Sequence, residues 1–238
     1  MTQLELAKKG VITDEAVSCV KYDTHVTPEY ISNGVANGHI VIPHNKNRKF
    51  NALAIGKGLS TKVNANIGTS QKHADIEEEL IKMNAALKAG THSVMDLSTG
   101  GNLADVRKVL IQNCPVMMGA VPIYATAAKA MHAKKPLHSI TVDEIFSDIE
   151  EQCRQGIDYI TVHCGITKNS ISRMLKSKRE LGVVSRGGSL TCGWIIKNEK
   201  ENEDEKFVKK VMNIIEANIA DPGFGVEQLS EEIGMSAS

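Results

Sequence analysis

Lys62-Val63-Asn64-Ala65-Asn66-Ile67-Gly68 opens the rhythm that decides the fold: a short β-rich run, then a helical pattern, and the pair recurs. After this run, Asp75 and Glu78 have capping-box spacing. Ile76, Leu80, Met83 and Leu87 fall on one helical face, and Gly90 stops the helix. Ser93-Val94-Met95-Asp96-Leu97 is the second run. Its helix, Ala104 to Asn113 with Val106, Val109 and Leu110 inward, ends against Pro115. The third run spans Val116 to Tyr124 and leads into an alanine-rich helix. Thr141 and Glu144 repeat the capping-box signal ahead of Val142, Ile145, Phe146 and Ile149, with Gly156 as the stop. Asp158-Tyr159-Ile160-Thr161-Val162-His163 is the fourth strand. A helix from Asn169 to Leu181 then leads past Gly182 to a fifth strand, Val183-Val184-Ser185, and to Arg186-Gly187-Gly188.

Units of this length imply parallel strands with covering helices, in either a (β/α)8 barrel or an open doubly wound sheet. The barrel is favoured because polar residues gather after every strand, and no GxGxxG or Walker pattern marks a single glycine-rich turn. The expected architecture is therefore α/β. A partial TIM-type barrel of about five of the eight strands occupies residues 62–202. Residues 1–61 form an N-terminal extension, with a short helix at Leu4 to Lys9 and a strand at Gly38 to Pro43. After Asn202 the composition shifts to a charge run and a new helical pattern on Phe207, Val211, Ile214 and Ile215. Asp221-Pro222-Gly223 makes a turn, and Val226, Leu229 and Ile233 line a shorter helix, so 203–238 is expected to be an all-α tail.

Bulk properties exclude several classes. The chain has 238 residues, 42% of them hydrophobic, which is ample for a packed core. Its 28 basic and 28 acidic residues cancel, so composition gives no pull toward nucleic acid or membrane. No apolar run approaches the roughly 18 to 20 residues of a membrane span. Met1-Thr2-Gln3-Leu4-Glu5-Leu6 lacks signal-peptide order, so a cytoplasmic location is expected. The five cysteines are widely spread with no CxxC pair, which suits reduced thiols.

Candidate site residues lie where the strands end. Ser185, Arg186, Gly187 and Gly188 suit a phosphate: two glycines let the backbone amides approach, and the guanidinium and hydroxyl add charge-assisted bonds. A tight βα turn with a surface arginine is the plain alternative. Asn64 and Asn66 share one strand face and so can act as a pair, or each can cap local backbone. Met95 reads as core filling or as a ligand wall. Tyr124 reads as a ring with a satisfied hydroxyl or as part of the site. His163 ends an apolar strand, where a satisfied core histidine competes with an acid–base role. Nothing near it has HxH or HxxxH spacing, so no metal ligand is assigned. No catalytic residue is identified.

Five motifs in order, Val63-Asn64-Ala65-Asn66-Ile67-Gly68, Val94-Met95-Asp96-Leu97-Ser98-Thr99-Gly100, Val121-Pro122-Ile123-Tyr124, Val162-His163-Cys164-Gly165 and Val184-Ser185-Arg186-Gly187-Gly188-Ser189, closely resemble the phosphomethylpyrimidine synthase family of thiamine biosynthesis. The likeness runs from residue 1 to about Asn202. The resemblance implies a (β/α)8 barrel and a carbon–carbon lyase that rearranges aminoimidazole ribonucleotide into hydroxymethylpyrimidine phosphate. It implies non-standard radical S-adenosylmethionine chemistry with a 4Fe–4S cluster and a divalent metal, zinc. It also implies substrate contacts from Asn66, Met95, Tyr124 and His163, with the phosphate on Ser185, Arg186 and Gly187.

The family's CxxCxxxxC cluster motif and its metal-binding histidines have no counterpart in this sequence, so the chain is expected to be inactive alone, truncated or fused to a foreign tail. The related anaerobic hydroxybenzimidazole synthases use the same substrate and similar motifs, and the residues do not separate the two. Residues 207–236 resemble the start of an AraC-type DNA-binding domain without its recognition helix, so nucleic acid is not an expected partner. A regulatory fusion and a fragment without independent function are the competing readings. A barrel with strands missing leaves open edges that a homo-oligomer would cover.

Overall fold

In the computed structural model, which describes residues 1–198, side-chain caps set most helix starts. Thr2 and Glu5 close a reciprocal capping box on α1 (Gln3–Lys8), Thr13 caps α2 (Asp14–Cys19), and Thr27 caps α3 (Pro28–Ala36). A two-residue antiparallel pair, β1 (Ile40–Val41) with β2 (Ile55–Gly56), follows. These elements bury their own small core around Cys19, Ile31, Val35, Ile40 and Ala54. The short helix read at Leu4 to Lys9 is present, and the strand read from Gly38 to Pro43 shrinks to β1.

The repeating units then follow as β3 (Asn64–Ile67), α4 (Ile76–Lys88), β4 (Ser93–Asp96), α5 (Leu103–Asn113), β5 (Met117–Ala120), α6 (Pro122–His132), α7 (Val142–Gln155), β6 (Tyr159–Ile160), α8 (Lys168–Lys176) and α9 (Arg186–Asn198). A 3-10 turn, Leu137–Ser139, separates α6 from α7. The four strands pair in parallel and in chain order, β3-β4-β5-β6. Among the described residues no helix is long and apolar enough to cross a membrane.

The pleat sorts the side chains into two faces. Ile67, Val94, Met118 and Ala120 point to the face covered by α4 and α5, where they pack with Met83, Val106, Leu110 and Cys114. Asn64, Asn66, Met95 and Gly119 fall on the opposite face by register. The segment before β3 locks the amino-terminal end of the sheet. Arg48 pairs with Asp158, both side chains almost fully buried, and also donates to the Cys114 and Val116 carbonyls. Asp158 accepts from the Asn45 and Met118 amides, at 2.8 Å each. A buried ion pair tolerated this way needs its remaining lone pairs satisfied, and these are.

Along the repeating units the structure departs from the sequence expectation in several places. The third run stops at Ala120, and Tyr124 lies in the first turn of α6. Pro122 explains this, because it has no N–H for a ladder and its fixed φ suits the first turn of a helix. The fourth strand shortens to Tyr159–Ile160, so His163 stands in the loop after it. The helix read to Leu181 ends at Lys176: Ser177 turns extended and its hydroxyl donates to the Met174 carbonyl. Residues 183–185 form no strand; β6 has no second neighbour among the described residues, and Val184 is 72% exposed. The tail at 203–238, with its helix-turn-helix pattern, lies outside the described residues.

Candidate functional site

The carboxyl ends of β3 and β4 are fastened to one another. Leu97 N–H donates to Ile67 O, Thr69 N–H to Ser98 Oγ, Thr99 N–H to Thr69 O, and Thr69 Oγ to Gly100 O. Gly100 is required there, because a Cβ would lie 2.0 Å from the Ser70 carbonyl oxygen. Asp96 anchors the same loop by accepting the Ser98 N–H at 2.9 Å. It stands in register with Ile67 and Ala120 on the helix-covered face. Burial there pushes its carboxyl above the ordinary carboxylate range, although the Ser98 bonds and the Arg107 charge act the other way.

On this base Thr99 meets Arg186, whose Nη1 donates to Thr99 Oγ1 at 3.0 Å. The same guanidinium lies 5.9 Å from the centroid of the Tyr124 ring. Arg186 therefore sits at a junction of β4, α6 and α9. It begins α9 rather than a loop: Ser185 Oγ accepts the Gly188 N–H at 3.1 Å in the manner of an N-cap. The two glycines thus belong to the first turn of a 13-residue helix, where backbone N–H groups lack intrahelical partners and the dipole favours an anion.

Those glycines also have a second reason. A Cβ on Gly187 would lie 2.2 Å from His163 Cε1, so the imidazole packs directly on the helix start. His163 Nδ1 is buried and has no hydrogen-bond partner among the described residues. The expected pair on β3 is linked, with Asn64 Nδ2 donating to Asn66 Oδ1 at 2.8 Å. Asn66 stands beside Met95 in register, and Met95 Sδ receives the Thr161 hydroxyl at 3.8 Å.

The candidate residues thus form two groups. Asn66 and Met95 are neighbours on the open sheet face; Tyr124, His163, Ser185, Arg186 and Gly187 gather around the start of α9. Thr99 joins the groups, since its loop continues β4 and its hydroxyl receives Arg186. Sequence reasoning did not single out Thr99. Its signal was the polar Ser98-Thr99-Gly100 run directly after a strand.

An arginine, a tyrosine face and a helix start at the carboxyl ends of parallel strands make this an α/β protein with a candidate small-molecule site. The family can be named more closely. The model of the Radical SAM ThiC family matches residues 2–220, and the chain belongs to that family. It is similar to the phosphomethylpyrimidine synthase of Syntrophus aciditrophicus, 47% identical over 203 residues, covering 85% of this chain and 47% of that protein. The phosphomethylpyrimidine synthases of Thermodesulfovibrio yellowstonii and Geobacter metallireducens are 44% and 42% identical over 214 and 218 residues. The matches cover 90% and 91% of this chain and 50% of each relative, so the chain spans about half the length of these relatives.

The family name implies S-adenosylmethionine and iron–sulfur chemistry. Among the described residues no three His, Cys, Asp or Glu side chains gather as a metal site. Cys19, Cys114 and Cys192 are buried and Cys153 and Cys164 exposed, all as free thiols. As placed among the described residues, these side chains do not fit a three-cysteine cluster.

Proposed function

We propose that this chain forms the ribonucleotide-holding side of a phosphomethylpyrimidine synthase, a cytoplasmic enzyme of thiamine biosynthesis. Its substrate in this reading is aminoimidazole ribonucleotide, rearranged to hydroxymethylpyrimidine phosphate. In this reading the described residues from 62 onward supply an arc of a (β/α)8 barrel, and residues 1–61 brace it. The placement of α4 and α5 on one sheet face, with Asn66 and Met95 on the other, supports the barrel reading. The observation that carries the functional reading is Arg186: a guanidinium held by Thr99 and Tyr124 over the start of α9.

In this reading the phosphate takes the Arg186 guanidinium, the Ser185 hydroxyl and the Gly187 amide. Tyr124 and His163 wall the ribose, while Met95 and Asn66 meet the base. The residues bind and orient. The S-adenosylmethionine, cluster and zinc chemistry of the family would act on a substrate so held. Calorimetric titration of the chain with aminoimidazole ribonucleotide tests this. We expect binding that Arg186→Ala weakens roughly 10- to 100-fold, the scale of a charged hydrogen bond. Absence of heat in the unmodified chain, or equal affinity in the variant, would overturn the reading.

A further inference from the structure

Tyr159 stands opposite Gly119 in the sheet register. A Cβ on Gly119 would lie 2.4 Å from ring atoms Cε2 and Cζ of Tyr159. The absent side chain lets the ring lie across β5 and carry its hydroxyl to the two strands beyond. There the hydroxyl meets Ser93 Oγ of β4 at 2.5 Å and donates to Asn64 Oδ1 of β3 at 2.9 Å. Asn64 Nδ2 donates in turn to Asn66 Oδ1 at 2.8 Å.

The Asn64 amide, with its oxygen toward Tyr159 and its nitrogen toward Asn66, sets the direction of this chain. A neutral phenol has one proton, and Tyr159 gives it to Asn64, so the Ser93 hydroxyl must donate to Tyr159. The Asn64 carbonyl is then occupied, which leaves its amide end for Asn66. The Asn66 carbonyl accepts in its turn, and the Asn66 NH2, which has no hydrogen-bond partner among the described residues, is placed to serve a ligand. Asn66 is exposed on the open sheet face, one strand from Met95.

We infer that Ser93, Tyr159 and Asn64 form a positioning relay that holds Asn66 as a hydrogen-bond donor, selecting a nucleotide whose base presents an acceptor, such as an imidazole ring nitrogen. The inference rests on the ribonucleotide reading and deepens it: Arg186 fixes the phosphate, and Asn66 reads the other end. Burial pushes the Tyr159 hydroxyl above the ordinary phenol range, against the opposing effect of the Ser93 bond, so the phenol keeps the proton that the relay needs. Without the relay the Asn66 amide can turn either end outward, and a donor fixed in place discriminates by leaving wrong partners unpaired.

The test compares aminoimidazole ribonucleotide with ribose 5-phosphate, which lacks the base, by titration calorimetry of the full chain and three variants. Tyr159→Phe should weaken the nucleotide about tenfold, one hydrogen bond's worth, and leave ribose 5-phosphate within about twofold. Asn64→Asp alters an exposed side chain, so it tests the relay even where the phenylalanine variant folds poorly. It removes the donor to Asn66 and should give the same split. Arg186→Ala should weaken both ligands. Equal loss of both ligands in Tyr159→Phe and Asn64→Asp, or no loss of the nucleotide, overturns the relay and leaves the functional reading standing. An unmodified chain that binds neither ligand overturns the functional reading, and the recognition role of Asn66 falls with it.

Discussion

At Gly187 and Gly100 alike, neighbouring atoms fill the space a methyl group would need, but those neighbours differ in kind. At Gly187 the obstacle is the His163 ring, with 2.2 Å to Cε1, and a side chain can rotate aside. At Gly100 it is the Ser70 backbone oxygen at 2.0 Å, which cannot move without breaking the fastening between the β3 and β4 ends. Gly187→Ala also gains about 1 kcal/mol of helix propensity, which offsets overpacking of roughly 1–3 kcal/mol softened by ring rotation. We therefore expect it to unfold in urea within about 1 kcal/mol of the parent while losing ribonucleotide affinity as His163 is displaced. Gly100→Ala should lose about 3 kcal/mol or more in the same measurement. Equal destabilisation by the two substitutions would mean that His163 is held as rigidly as backbone. The strand-end residues were legible as polar breaks after apolar runs, but contacts such as Arg186 to Thr99 were not. They join residues that the sequence keeps far apart.

At the level of elements, the helices were the most legible parts because their signals are local. Thr141 and Glu144 close the expected box on α7, and the positive φ of Gly156 ends that helix. The box read at Asp75 and Glu78 is half formed: Asp75 caps α4, but Glu78 turns to His73. Strand extents were less legible because they depend on neighbours. The apolar run at Asp158 to His163 gives only two paired residues, since β5 ends at Ala120 and Pro122 turns the chain away. Asp96 shows the same dependence in its chemistry. Its raised pKa means that the fold favours the protonated carboxyl, so its contribution is fully present below the unfolded value near 3.8 and is lost as pH rises through the folded value. Asp96→Asn keeps an acceptor for the Ser98 N–H but does not titrate. The stability of the parent relative to this variant should therefore fall as pH rises above that unfolded value in urea unfolding. A constant or growing advantage of the parent would show that Arg107 outweighs desolvation.

The whole molecule poses a question of edges. Among the described residues β3 and β6 each have one neighbour, so the four-stranded sheet has an unpaired edge at both ends. Exposed backbone edges invite pairing with other chains unless short strands, charges or covering segments blunt them. The β6 edge is short, and in the segments that follow it Val162, Leu181 and Val184 are 49%, 68% and 72% exposed. Exposed apolar side chains in a molecule with open sheet edges favour association over a solvated monomer. We expect the chain to sediment as a homodimer or larger species at tens of micromolar, an order-of-magnitude working range for weak oligomers. Leu181→Lys with Val184→Lys should shift it toward monomer, because each lysine replaces buried apolar area with a charge that must stay hydrated. No hydrogen bond or ion pair joins either side chain to Arg186 among the described residues, so ribonucleotide binding by the monomeric variant should persist. A compact monomer for the parent chain would mean that the edges are covered within one molecule, and a variant that stays associated would place the contact at the β3 edge.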